Sequence, residues 1–293
     1  MQTFIPQNTN WLAFFRISVA CFALAHFLSI QSDFDLLYSY QAYIYPDILN
    51  ASHDHIGPTL TTLHQWFEST GISVSYSGLL WFCRVVYPCF MVGLALGLFT
   101  RVSAVGALFF QILFIQSIHL YQYGVDAYTT IALFYCCLFP VGKILALDGW
   151  LRPQRDAPDS QKFYLTILQL HLGVAYFFSG LDKVVGQTWR NGEAVWKALH
   201  SHCYGGNLVN LDGLAHTPFF WLMGWGTVLL EMGYLPLVLL PRTRLVALSF
   251  MISLHLGIGL FLGLYFFSAL MILLNLSAFY APYTKAALTP VNP

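Results

Sequence analysis

The polar residues of this chain cluster, and between the clusters lie long stretches with almost none. Apolar runs near residues 11–30, 79–99, 102–119, 127–146, 163–181, 219–240, 245–262 and 264–281 are each close to the roughly 17 to 25 residues a helix needs to cross a bilayer core. The runs are continuously apolar rather than alternating, which predicts helices and argues against transmembrane strands. Only Gly263 separates the last two, so they read either as two helices or as one broken helix. The pattern predicts an all-α integral membrane protein. It has about eight transmembrane helices in one bundle, with seven as the alternative count, and a single domain over 1–293.

Composition strengthens that expectation. Of 293 residues, 57% are hydrophobic and 9% charged, with a mean hydropathy of +0.63. Soluble domains carry roughly 25% charged residues, so a soluble enzyme is excluded, as are disordered, collagen-like and disulfide-scaffold chains. Thirteen basic residues balance thirteen acidic ones, and nothing in that balance points to nucleic acid. Five of the six cysteines, Cys21, Cys83, Cys89, Cys136 and Cys137, fall in or beside apolar runs. Cys203 sits in a polar loop, and a Cys203–Cys83 bridge is left open. The N-terminal MQTFIPQNTN has no basic region and no small-residue cleavage site, so the first apolar run is expected to be retained.

Charge in the loops sets direction. Arg101, Lys143, Arg152, Arg155, Lys162, Arg242, Arg244 and Lys285 fall in connections on one side. The other side, 31–78, 120–126 and 182–218, has only Lys183, Arg190 and Lys197. The positive-inside rule then predicts cytoplasmic termini and places Lys183 on the outer face. Two outer loops, 31–78 and 182–218, are too long to be plain connectors. Within the second, WRNGEAVWKALH carries Trp189, Val195, Trp196 and Leu199 at helical spacing, which predicts a short interfacial helix.

Charged side chains inside apolar spans cost about 2.5 to 3.5 kcal/mol each on insertion scales. Arg16, Arg84 and Glu231 lie within spans, with His26, His171 and His255, while Asp126 and Lys183 lie at span ends. By depth, His26, Arg84, His119, Asp126, Lys183 and His255 fall in outer halves, Glu231 near the middle and Arg16 nearer the cytoplasm. This predicts one polar chamber opening outward; the plainer reading is that each residue pairs locally or snorkels to the interface.

Lys183 follows the aromatic stretch AYFFSGLD. It reads either as a snorkelling lysine or as a desolvated amine able to act as a base. Asp182 need not neutralise it, because adjacent residues on a helix do not face each other. A pairing of Glu231 with Arg242 or Arg244 is awkward along the helix. The pairs His53-Asp54-His55 and His200-Ser201-His202-Cys203 lack the three or four rigid ligands of a zinc site, and no metal is expected. Gly93 and Gly97 form a GxxxG, a signal of close helix packing.

Several stretches, in order, resemble the HTTM domain, the membrane domain of vitamin K-dependent gamma-carboxylases and their bacterial relatives. They are LAFFRISVA with Arg16, GLFTR ending in Arg101, HLYQYGVDAY, FPVGKILALDGW, LHLGVAYFFSGLDKVVGQTWRNGEAVWKAL, LLEMGYLPLVLLPRTR and HLGIGLFLGLYFFSALMILLNL. The resemblance spans about 11–281, and YFFSGLxK…W..G is its most specific element. It implies a bacterial inner-membrane protein in which Lys183 acts as base on reduced vitamin K or a menaquinone-like quinol. The oxygenated cofactor of the gamma-carboxylases then removes a γ proton from a glutamyl side chain, and carbon dioxide traps the carbanion.

On this resemblance Lys183, Asp126 and His255 are the expected catalytic residues, and His119, Arg84, Trp189 and Glu231 the expected substrate-binding ones. The partners are an exported peptide or protein and a lipid quinone. The chain departs from the eukaryotic pattern in three places. Asp182 replaces the first of two adjacent lysines, and Asp126 follows Tyr-Gly-Val where a histidine follows paired asparagines. The large lumenal propeptide-gripping domain is not expected after the last span. The alternatives are a non-catalytic maturation factor for a secreted peptide such as a toxin, a transporter, and a quinone oxidoreductase subunit.

Overall fold

A computed structural model describes residues 10–52, 57–151, 158–201, 212–214 and 217–284. His53, Asp54, His55, His202 and Cys203 lie outside the described residues, as do Arg152, Arg155 and Lys285. Among the described residues the regular structure is helical, with no strand. They form two compact units, Leu12–Arg155 and Asp156–Pro293 with Met1–Trp11.

The first unit holds α1 (Trp11–Ser29), three short helices α2 (Phe34–Tyr38), α3 (Pro46–Ala51) and α4 (Leu60–Ser69), then α5 (Tyr76–Leu96), α6 (Thr100–Ser117), α7 (Gly124–Leu138) and α8 (Leu147–Leu151). The second holds α9 (Pro158–Val185), α10 (Gln187–Arg190), α11 (Glu193–Leu199), α12 (Phe219–Leu239), α13 (Arg244–Leu262) and α14 (Tyr265–Phe279). Seven of these segments, counting α14 on to Tyr283, are long and apolar enough to cross a membrane.

Each of the eight apolar runs becomes its own helix, with two adjustments. Gly263 takes φ 70°, a left-handed conformation that glycine adopts freely, so α13 and α14 are two helices rather than one broken one. The run at 127–146 yields the shorter α7 of 15 residues, about 22 Å at 1.5 Å per residue, short of a roughly 30 Å hydrocarbon core. It stops because Phe139 precedes Pro140 and is extended at φ −78°, ψ 152°. The proline ring disfavours helical geometry in the residue before it.

The FTR and FPVGKILALDGW stretches of the sequence assemble around Arg16, which is 0% exposed. Its guanidinium donates from Nη1 to the carbonyls of Val141 at 2.8 Å and Ile144 at 3.4 Å, and from Nη2 to Leu145 at 2.5 Å and Ala95 at 3.4 Å. Ala95 lies in the last turn of α5, where carbonyls lack intrahelical partners. Gly97 ends that helix at φ 68°; a Cβ there would meet Ala146 Cβ at 2.4 Å and Arg16 Nη1 at 2.9 Å. The Gly97 carbonyl accepts from the Asp148 amide at 3.0 Å. The Asp148 carboxylate then accepts from the amides of Phe99 at 2.9 Å and Thr100 at 2.6 Å and from Thr100 Oγ1 at 2.8 Å. An anion thus caps the positive end of α6.

In the second unit, α12 runs antiparallel to α9 and lies against it at two glycines. A Cβ on Gly173 would sit 2.3 Å from Leu235 Cδ1; one on Gly180 would sit 2.6 Å from Met232 Cγ, 3.1 Å from the Met232 amide nitrogen and 3.2 Å from Glu231 Cβ. Seven residues apart, the two glycines share one face of α9, and their lack of side chains admits α12 at close range. The α13–α14 pair forms an antiparallel hairpin closed by Arg244. This buried side chain donates to the carbonyls of Val238 at 3.1 Å and Leu239 at 3.3 Å, and lies 3.7 Å from the centroid of the Tyr283 ring.

Arg16→Leu removes the donors and leaves buried carbonyls unpaired, at about 1 to 3 kcal/mol per group. The expected loss of stability is about 2 to 4 kcal/mol. Arg16→Lys recovers only part of it, because an ammonium cannot span the same four oxygens. Thermal unfolding in detergent measures both; an Arg16→Leu protein as stable as the wild type would contradict this account of the motif.

Candidate functional site

Helix α9 presents Tyr176, Ser179, Gly180 and Lys183 along one face, at the three- and four-residue spacing that stacks helical side chains. Helix α12 opposes them with Glu231, Met232, Tyr234 and Leu235. Lys183 Nζ donates to Glu231 Oε2 at 2.7 Å and to Ser179 Oγ at 2.6 Å. The Lys183 side chain is 20% exposed and that of Glu231 8%. The ammonium also lies 5.3 Å from the centroid of the Trp189 ring, within cation–π range.

The two charges start from different places along their helices. They meet because side chains on a helix lean toward its N-terminus, so Lys183 reaches back over the Ser179 turn toward Glu231. Asp182 is exposed, and the carboxylate that meets Lys183 is that of Glu231. Arg244, considered as a partner for Glu231, is engaged with helix-end carbonyls instead.

A second polar group lies in the same unit. Tyr234 Oη donates to Asn275 Oδ1 at 2.6 Å, and Asn275 Nδ2 donates to Tyr176 Oη at 2.6 Å and to the Met271 carbonyl at 2.8 Å. Tyr176 Oη then lies 2.8 Å from His255 Nε2. The rings of Tyr176 and Tyr234 pack edge to face, with centroids 5.1 Å apart. His255 also feels the charge of Lys183. Of the residues singled out in the sequence, this unit therefore brings together Lys183, Glu231 and Trp189, while His255 meets the same helix α9 at Tyr176. Ser179, Tyr176, Tyr234 and Asn275 were not singled out. Asn275 carries the clearest signal, a lone amide inside MILLNLSAF.

The first unit holds the remaining candidates. Arg84 folds onto the start of the 31–78 loop: Nε donates to Gln31 Oε1 at 2.7 Å, Nη2 to the Gln31 carbonyl at 3.3 Å, and Asp35 Oδ2 lies 3.9 Å from Nη1. Its guanidinium stacks 4.5 Å from the centroid of the Phe34 ring. His119 Nε2 lies 3.4 Å from Ser52 Oγ. Asp126 Oδ2 accepts from the Tyr123 amide at 3.1 Å, capping α7, and interacts electrostatically with His26. Its place at a span end could have suggested that Asp126 caps a helix.

The single interfacial helix expected over WRNGEAVWKALH is two, α10 and α11, broken at Gly192 with φ 85°. A side chain at Gly192 would run into the Trp221 backbone at 2.9 Å, so the chain turns here against α12. Among the described residues no three His, Cys, Asp or Glu gather as a metal site. Cys83, the described member of the considered disulfide, is buried.

The Lys183–Glu231 pair makes a direct stability prediction. Glu231→Gln strands a half-buried ammonium, with an expected loss of about 2 to 4 kcal/mol, near the lower end of values for broken buried pairs because Lys183 keeps some exposure. In the Lys183→Met, Glu231→Leu double variant most of that loss returns, since apolar replacement of both partners leaves no unpaired charge. Thermal denaturation of the two single variants and the double variant tests this; additive losses would show that the two residues do not interact.

No curated protein and no solved structure matches the chain. The HTTM domain profile matches residues 4–282 and so spans both compact units, including the Arg16 motif and the Lys183–Glu231 pair. Taken with its seven membrane-length apolar helices, that match makes this chain a multi-pass membrane protein of the HTTM domain family, a membrane family related to the vitamin K-dependent carboxylases.

Proposed function

We propose that the chain modifies an exported peptide or protein on the outer face of a bacterial inner membrane, with Lys183 as the base and a reduced vitamin K or menaquinone-like quinol as cofactor. The observation that carries this reading is the 2.7 Å contact of Lys183 with Glu231 inside the G-L-x-K element. When bound, such a quinol supplies, with oxygen, the strong base that removes a γ proton before carbon dioxide adds. The residues present suit a largely apolar molecule with a hydroxyl head. The Trp189 ring and the aromatic face of α9 supply apolar contact, and Lys183 Nζ supplies a polar one.

The carboxylate changes what kind of base Lys183 is. An ammonium already holding its proton cannot accept another, so the lysine alone works only as a free amine. With Glu231 Oε2 at 2.7 Å, Lys183 takes a proton from a ligand hydroxyl at Nζ while giving one of its own to the carboxylate. The pair gains one proton in total, and the ligand oxyanion left behind replaces the carboxylate as counter-ion to the ammonium, so the number of charges in the apolar site is unchanged. Ser179 Oγ, at 2.6 Å, orients Nζ throughout. Trp189 covers one side of the ammonium and limits water there.

Mass spectrometry of lipids and peptides that copurify with the protein in mild detergent tests this reading. The wild type is expected to carry a quinone and to give a secreted peptide a gain of about 44 Da, one carbon dioxide, that Lys183→Ala abolishes. Glu231→Gln is expected to lower the modified fraction by about 100-fold or more, the usual scale of a lost general acid–base group. A Glu231→Gln protein that modifies peptide at the wild-type rate would restore the free amine as the base. Neither a quinone nor any mass change, with peptide maturation intact in Lys183→Ala, would leave a non-catalytic maturation factor.

A further inference from the structure

His255 is 3% exposed and its Nδ1 atom has no hydrogen-bond partner among the described residues. Ser268, 4% exposed, has an Oγ atom in the same condition. Both belong to the α13–α14 hairpin. The His255 ring lies 5.8 Å from that of Phe267 on α14, the residue before Ser268. One turn on from His255, a Cβ on Gly259 would meet Ser268 Cβ and Oγ at 3.1 Å, so the hairpin is tightest beside these two atoms. Orphaned buried polar groups cost about 1 to 3 kcal/mol each. Two at one helix–helix contact call for an explanation beyond packing.

The donor accounting around Tyr176 supplies one. Tyr234 has a single hydroxyl proton and gives it to Asn275 Oδ1. The Asn275 amide, its oxygen thus occupied, spends its two protons on Tyr176 Oη and the Met271 carbonyl. Tyr176 accepts from Asn275 and retains one hydroxyl proton, and with His255 Nε2 at 2.8 Å we infer that this proton is given to the imidazole. A neutral imidazole that accepts at Nε2 carries its proton at Nδ1. The chain of three residues fixes not only where the ring sits but which nitrogen is the donor, and that donor is the orphaned one.

We propose that Tyr176, Asn275 and Tyr234 are positioning residues that hold His255 as an Nδ1–H donor for the carbonyl oxygen of a lipid-soluble ligand, with Ser268 Oγ as the second donor to the same oxygen. A carbonyl oxygen has two lone pairs and no proton to give, which suits two converging donors. A hydroxyl proton on that oxygen would meet a neutral Nδ1–H that cannot accept it, so the form of the cofactor held here is the oxidised one, whose oxygens are carbonyls. The histidine thereby serves as a fixed hydrogen-bond donor to the ligand's oxygen, separate from the Lys183–Glu231 proton acceptor.

The test uses the full chain in lipid nanodiscs with 15N-labelled histidine, the His255 signals being identified by their loss in His255→Gln. Solid-state NMR is expected to find Nδ1 protonated and Nε2 unprotonated in the wild type, with a mixture of tautomers in Tyr176→Phe. An Nε2-protonated wild type, or a Tyr176→Phe spectrum identical to wild type, overturns the positioning. The ligand half is read with 13C-carbonyl-labelled 1,4-naphthoquinone, a probe whose choice rests on the quinol reading. A bound carbonyl resonance displaced from the free one, lost in His255→Gln and returned part of the way in Ser268→Ala, supports the site. An undisplaced resonance in the wild type overturns it. Peptide carboxylation that depends on Lys183 alongside an undisplaced carbonyl would sink this inference and spare the proposed function. A displaced carbonyl without carboxylation would do the reverse.

Discussion

The contact between Lys183 and Glu231 depends on how near α12 can come to α9, and that distance is set by an absence. With hydrogen in place of a side chain at Gly180, Glu231 Cβ and the Met232 backbone lie where a methyl group would otherwise be. In hydrocarbon, two charged side chains on neighbouring helices are tolerable only when they meet. The approach at Gly180 is therefore an electrostatic device as much as a packing one. The same closeness lets Tyr234, one turn beyond Glu231, pack edge to face on Tyr176 and reach Asn275. Helix separation, ion pair and hydrogen-bond chain form one construction.

Two buried arginines provide the contrast. Arg16 and Arg244 each turn their guanidinium to the carbonyls that a helix end or its following loop leaves unpaired. A planar fork with five donors suits that task, and its protons are not available for exchange. Lysine is a point charge with a transferable proton, and the residue facing it is a carboxylate rather than a carbonyl. Three cations thus lie in costly surroundings, and their chemistry divides them. The arginines close off backbone, whereas the lysine is held by the only kind of partner that can take its proton.

Much of the fold could be read from hydropathy, because continuous apolar runs of membrane length admit few structures other than helices. The break at Gly263 and the short α7 escaped that reading, since both depend on one residue's backbone geometry, the left-handed glycine and the residue before Pro140. At the candidate site, Lys183 and Glu231 stood out one by one because charge is rare in these spans. Their partnership did not, because hydropathy locates a residue along its helix and says nothing of which way it faces. Depth alone kept the two apart; the N-terminal lean of the lysine side chain joined them. Tyr176, Tyr234 and Asn275 passed unnoticed because uncharged polar groups hardly disturb a hydropathy profile, although each must find a partner once water is gone.

A lysine held against a glutamate is usually read as neutralised, and therefore as structural. In water that reading is sound, because the ion pair is far more stable than the neutral amine with its protonated acid. In an apolar surround the separated charges lose their hydration, and the energy gap between the ion pair and the neutral pair narrows. The proton can then move between Nζ and Oε2 without unbalancing the site, which is the property a base in hydrocarbon needs. A free amine that takes a proton from a neutral hydroxyl creates two new charges, an ammonium and an oxyanion. The Lys183–Glu231 pair accepts the same proton and stores it as a neutral acid beside an ammonium that was already counted. Under the proposed function Glu231 shares the proton that Lys183 takes, and the close approach at Gly180 is what brings the two together.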